Sequence, residues 1–285
     1  MKRILILISS FFIFSSVYSG GGWPQPKGKG YFKLSEWWVN ADQHYTLGGL
    51  KDPNVTTGLY NTTFYGEYGF TNKFTGVINV PLLSRNVVNN LISGTTNEII
   101  TPGEAINSLG DAEITLKYGV FQHSAISISA SIIFGIPLGE NAGGLAGNLQ
   151  TGDGEFNQIF RIDAGIPLGG NDAFSAYGNV YGGYNLRNQG FSDEIRYGAE
   201  LGIGIFSQKL YVTGRYDVIK SRNNEKSGAI DGSFFANNSE VTSLTGEISY
   251  QITSKVGVSA TYGTALDGKI IYAAPSYSFG VFLKV

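Results

Sequence analysis

The sequence predicts an all-β chain: an up-and-down antiparallel transmembrane β-barrel of about 12 strands. Three observations carry that prediction. Apolar and polar residues alternate with a period of two over most of the chain, and no long helical stripe interrupts the pattern. The links between alternating segments are short and long nearly by turns, as in a barrel with tight turns at one rim and loops at the other. The polar faces carry mostly Ser, Thr, Asn, Gly and Tyr, and only 15% of the 285 residues are charged, against roughly 25% in soluble proteins. A soluble β-sandwich alternates too, but it would place many Lys and Glu on its wet faces.

The chain opens on an export signal. Lys2 and Arg3 precede an apolar run from Ile4 to Phe14, and Val17 and Ser19 occupy the −3 and −1 positions of a cleavage site before Gly20. The run is shorter than the roughly 20 residues of a spanning helix. Residues 1–19 are therefore expected to be a cleaved signal peptide, and residues 20–285 an outer-membrane barrel with a short N-terminal segment, 20–28. The expected setting is a Gram-negative cell envelope, with the lipid bilayer and the outer-membrane assembly machinery as partners.

The strands follow in order. Segments 29–39, 57–69 and 73–83 come first, the last two joined at Phe70-Thr71-Asn72-Lys73. In 109–120, Ala112, Ile114, Leu116 and Tyr118 oppose Asp111, Glu113, Thr115 and Lys117. The segment 124–136 alternates most cleanly, with Ile128 expected toward lipid and Ser129 toward the lumen. Then come 155–166, 173–186, 193–206, 209–220, 240–251, 255–266 and 269–284. Long links are expected at 40–56, 84–108, 137–154, 187–192 and 221–239, and the short last link, Asp267-Gly268, breaks the alternation. Phe70, Phe74, Phe121, Phe206, Tyr211 and Tyr250 gather at the short turns and read as an aromatic girdle at one membrane interface.

Composition removes several function classes. With no cysteine, the chain has neither a disulfide framework nor a thiol–zinc site. A net charge of −2 offers no footprint for nucleic acid. No metal or cofactor is expected. The glycine-rich stretch 139–154 lacks the Gly-Lys-Ser/Thr of a phosphate loop, and Asp153 and Glu155 read as part of an outer loop rather than a calcium site. The two histidines, His44 and His123, fall at opposite rims, so no enzyme is expected, and a barrel hydrolase is the weakest alternative.

The charges on the polar faces are the informative set. By phase, Glu67, Asp111, Glu113, Lys117, Arg161, Asp163, Glu194, Arg196, Glu200, Arg215, Asp217 and Glu247 point to the lumen, since a charge facing lipid at mid-depth costs about 2–4 kcal/mol. They either line a pore or pair across strands, and pairing is favoured for most. Eight of these twelve are acidic, so an open path would mildly favour cations or neutral solutes. The wall at 173–206 is glycine-rich and is a candidate deformable part of a conduit. There Tyr177, Asn179 and Tyr181 share one face and could stack a flat solute, or the tyrosines could fill space behind the glycines, which is the favoured reading.

Several motifs resemble a known family. Ser108-Leu109-Gly110-Asp111-Ala112-Glu113-Ile114-Thr115-Leu116-Lys117-Tyr118, Leu149-Gln150-Thr151-Gly152-Asp153-Gly154-Glu155-Phe156 and Gly22-Trp23-Pro24-Gln25-Pro26-Lys27-Gly28-Lys29-Gly30-Tyr31 resemble stretches of the outer-membrane transporters of the "MetA-pathway of phenol degradation" family. That family neighbours the long-chain fatty acid and aromatic hydrocarbon channels. The resemblance implies passive uptake of a small solute, often apolar or aromatic. The alternative is a structural or surface-exposed barrel without an open pore. The fatty acid channels carry a longer N-terminal plug and more strands, whereas only about ten residues precede the first strand here.

Overall fold

The computed structural model describes residues 20–145, 147–224 and 235–285. The expected signal peptide and the middle of the 221–239 link lie outside them. The strands are β1 (Gly30–Tyr45), β2 (Lys51–Gly69), β3 (Phe74–Val88), β4 (Leu91–Ile92), β5 (Ile99–Thr101), β6 (Glu104–Ser108), β7 (Ala112–Gln122), β8 (Ser127–Ile136), β9 (Asn157–Gly170), β10 (Ser175–Leu186), β11 (Glu194–Ile205), β12 (Leu210–Ser221), β13 (Glu240–Gln251), β14 (Val256–Lys269), β15 (Ile271–Tyr272) and β16 (Ser276–Lys284). Twelve of them form a closed antiparallel wall in the order β1-β2-β3-β7-β8-β9-β10-β11-β12-β13-β14-β16. Closure follows because β1 pairs with both β2 and β16.

The burial pattern is that of a barrel turned inside out. Buried residues include Glu67, Thr75, Ser127, Ser129, Asp163 and Asn179, while Leu116, Ile132, Ile162, Val180, Leu201, Ile248 and Phe279 are exposed. Polar groups inside and apolar groups outside suit a wall in hydrocarbon, where closure leaves no unpaired strand edge. Phe70, Phe121, Phe206 and Tyr250 stand exposed near the short-turn rim. A second outward row lies toward the other rim. There Trp38 is level with Tyr60 and Tyr277, and Tyr277 with Tyr262. Trp38 and Tyr277 stack at 5.8 Å. Tyr211 departs from the expected girdle: its ring turns inward over Gly204.

Four boundaries differ from the sequence reading. The first long link shrinks to residues 46–50, because β1 and β2 continue as a ribbon through Asp42, Asp52 and Pro53, with a register shift between Ala41 and Gln43. These are turn-forming residues, and the bulge accommodates them. The 84–108 link contains the end of β3, the β4–β5 hairpin and β6, which pairs with β3. The fourth wall strand starts at Ala112, because Gly110 passes against Pro81, whose carbonyl accepts the Gly110 N–H at 2.9 Å. At the last link β14 runs on to Lys269, and the turn falls at Ile270, with φ 55°.

Candidate functional site

The barrel encloses a chamber of about 460 Å³ at mid-height. Strand alternation delivers its walls: Tyr31, Lys33 and Ser35 from β1, Thr63, Tyr65 and Glu67 from β2, Glu113, Thr115 and Lys117 from β7. Ser131, Arg161, Asp163, Glu200, Arg215 and Glu247 line the far side, and Gly20 and Gly21 form part of the floor.

The floor is the chain's own N-terminal segment, folded into the short-turn end. Gly22 N–H donates to Asn179 Oδ1 at 2.9 Å, Ser127 Oγ donates to the Gly22 carbonyl at 2.8 Å, and Ser129 Oγ to the Gly21 carbonyl at 3.2 Å. Gln25 N–H donates to Thr75 Oγ1 and Gln25 Nε2 to Glu67, both at 2.8 Å. Trp23 meets Tyr177 edge to face at 5.7 Å. Glycines make the fit: a Cβ on Gly22 would strike the Ser127 carbonyl, and one on Gly165 would strike the Trp23 ring. The segment thus fills part of the lumen at the short-turn end.

The opposite end is also filled. Val39, Ala41, Leu59 and Tyr272 form a buried cluster, with Trp37, Phe235 and Ala274 packed against it. Part of the 137–154 link, expected from the sequence as an outer loop, folds inward. Its Leu149, Gln150 and Thr151 are buried, and Asn86 Nδ2 donates to the Gln150 carbonyl at 2.8 Å. Asp111 anchors the loop by accepting the Gly139 N–H at 2.9 Å and the Asp153 N–H at 2.8 Å. Burial lifts the Asp111 carboxyl to about 6 and also pushes Glu155 upward. Arg187, absent from the residues singled out in the sequence, clamps the same loop. It binds Asp153 at 2.9 Å, Glu155 at 2.5 Å and Glu194 at 2.8 Å, with its guanidinium 4.4 Å from the Phe191 ring centre. Asp153 and Glu155 are therefore engaged by a cation of the chain.

Several of the remaining lumen charges form pairs. Arg161 forks Asp163 through Nε at 2.9 Å and Nη2 at 2.6 Å, and lies 3.7 Å over the Tyr181 ring. Arg196 binds Glu194 at 2.6 Å. Arg215 binds Glu200 and lies 3.7 Å from Glu247, which Lys33 holds at 3.2 Å. Lys33 was missed in the sequence, although it shares the inward phase of Tyr31 and Ser35. Glu113 and Lys117 line the chamber without an ion pair among the described residues. Tyr177 donates to Glu200 and Tyr181 to Asp217, each at 2.7 Å. The rings lie over Gly202 and Gly198, their partners across the β10–β11 pair. His44 stands at the long-loop rim beside Asp52 and Tyr272, and His123 in the turn at the other rim, so no catalytic pair assembles from them.

No protein-family model matches the chain, and no curated protein matches it. The structure is similar to an outer-membrane channel of Pseudomonas putida F1, with TM-score 0.58 and 14% identity over 95% of this chain and 100% of that one. It is also similar to the NanC porin, with TM-score 0.53 and 9% identity over 89% of this chain and 100% of the porin. At these identities the likeness is one of fold, and the chain is a closed antiparallel barrel of twelve strands.

Proposed function

We propose that the protein is an exported outer-membrane barrel that passes a small solute without covalent chemistry. The carrying observation is a polar, charge-lined chamber of about 460 Å³ inside a wall whose outer face is apolar. The short-turn rim and both chain ends would face the periplasm, and the long loops the exterior. The sequence resemblance to phenol-degradation transporters supports an apolar or aromatic solute. Tyr177, Asn179 and Tyr181 would contact it only after the N-terminal segment withdraws, because Gly22 occupies Asn179 Oδ1 in the plugged form.

A second reading draws on the filled ends. With Gly20 and Gly21 on the floor and the Val39–Leu59–Tyr272 cluster above, the chain would be a structural barrel with no path through it. Liposome swelling with neutral, aromatic, cationic and anionic solutes separates the two. The transport reading expects a leak that rises when residues 20–28 are deleted. No leak of any solute or ion through the folded deletion variant would leave the structural barrel.

A further inference from the structure

The chamber lining is unbalanced. Five carboxylates, Glu67, Glu113, Asp163, Glu200 and Glu247, face four side-chain cations, Lys33, Lys117, Arg161 and Arg215. Glu67 is the most enclosed of the acids named here without a cation: it is 1% exposed. Its carboxylate accepts from Gln25 Nε2 and from the Tyr65 hydroxyl, but it has no ion pair among the described residues. An enclosed carboxylate without a cation is costly. The residue beside it is Gly20, where a Cβ would stand 3.9 Å from Glu67 Oε1.

Gly20 is also the residue that the sequence places first in the mature chain. We infer that removal of residues 1–19 supplies the missing cation: the new α-ammonium of Gly20 pairs with Glu67 inside the barrel and pins the N-terminal segment. Hydrolysis of the Ser19–Gly20 bond consumes one water. It leaves a carboxylate on the released peptide and an amine on Gly20, and that amine takes up the proton the new acid gives up. Before cleavage the same nitrogen is a neutral amide and offers Glu67 no charge. After cleavage the chamber holds five acids and five cations. Signal removal thus also strengthens the seating of the segment, adding an ion pair to the hydrogen bonds of Gly21, Gly22 and Gln25. The inference stands apart from the identity of the solute and would hold for a barrel with no path through it.

The test is acetylation of the native protein by a soluble N-hydroxysuccinimide ester at neutral pH, read at the N-terminal peptide by mass spectrometry. A paired ammonium must release its proton before it reacts, so Gly20 should label about tenfold more slowly than in urea, the cost of roughly one pH unit in amine protonation. Glu67→Gln keeps an acceptor for Gln25 and should restore most of the rate. Labelling at the urea rate, protection that persists in Glu67→Gln, or a mature chain beginning elsewhere than Gly20 would each overturn the pair. A refolded chain beginning at Ser19 supplies a check that needs no change at Glu67. It should lose the heat-resistant folded band at a lower temperature than the chain beginning at Gly20, and equal temperatures would count against the inference.

Discussion

Gly22 N–H points at Asn179 Oδ1 across the lumen at 2.9 Å, tying the N-terminal segment to the middle of β10. The approach depends on a missing side chain, since a Cβ on Gly22 would strike backbone atoms of Ser127 and Gly165. Gly22→Val should therefore lift the segment and raise ion conductance in planar bilayers while the barrel still folds. Gly48→Val is the control, because a Cβ there meets only Thr46 Oγ1, at 3.8 Å. Equal conductance in the two variants would show that the segment is not the barrier.

The β10–β11 wall gives a prediction with two arms. A Cβ on Gly182 meets nothing within 4 Å, whereas one on Gly202 would strike the Tyr177 ring. Gly202→Val should push Tyr177 off Glu200, its partner at 2.7 Å, and change solute flux into liposomes. Gly182→Val should leave flux unchanged. If both variants slow flux alike, backbone stiffness in 173–206 governs passage, and the position of the Tyr177 ring does not.

The wall was legible because alternation is a local property, and each of the expected strands overlaps an observed one. Its ends were not. Asp52-Pro53-Asn54 carries turn chemistry yet lies in β2, because pairing with β1 overrides local preference. The inward charges followed from the same phase, but their partners did not. Arg187 lies in a loop without periodicity, and the three carboxylates it gathers come from positions 153, 155 and 194. The N-terminal segment was least visible. Gly22-Trp23-Pro24-Gln25 has neither helical nor strand pattern, and its contacts at Ser127, Gly165 and Asn179 exist only once the ring has closed.

The two faces of one wall should differ sharply in tolerance. On β8, Ser127, Ser129 and Ser131 are buried inside, which turns Ile128 outward. Ile128 pairs with Phe121 near the short-turn rim, so the mid-height position on the same outer face is Ile132. Ile132→Arg should cost about 2–4 kcal/mol near the midplane, read as a lower urea midpoint of refolding into vesicles. Ser129→Arg is not the proper contrast, because Ser129 is 0% exposed and holds the Gly21 carbonyl. Thr115, which lines the open chamber, is. Thr115→Arg should cost much less and shift ion selectivity toward anions. Equal costs at 115 and 132 would mean that the register or the membrane placement is wrong.

The loop anchor at Asp111 should respond to pH, with a definite sign. Burial lifts this carboxyl from its ordinary 3.8 to about 6, and the neighbouring Asp153 adds to the lift, while the N–H groups of Gly139 and Asp153 oppose it. A carboxyl raised in the folded state binds its proton more tightly there than in the open chain. Its stabilising contribution is complete below about pH 4 and is lost as the pH rises through about 6. Glu155, also raised by burial and held by Arg187, acts in the same direction. Hydrogen exchange at the Gly139 and Asp153 amides, corrected for intrinsic rates, should therefore be slower at about pH 5 than at about pH 7.5. Asp111→Asn should flatten that difference, because asparagine keeps an acceptor oxygen but does not titrate. Protection that instead grows with pH would mean that the charged carboxylate's hold on the two amides outweighs the cost of burying it.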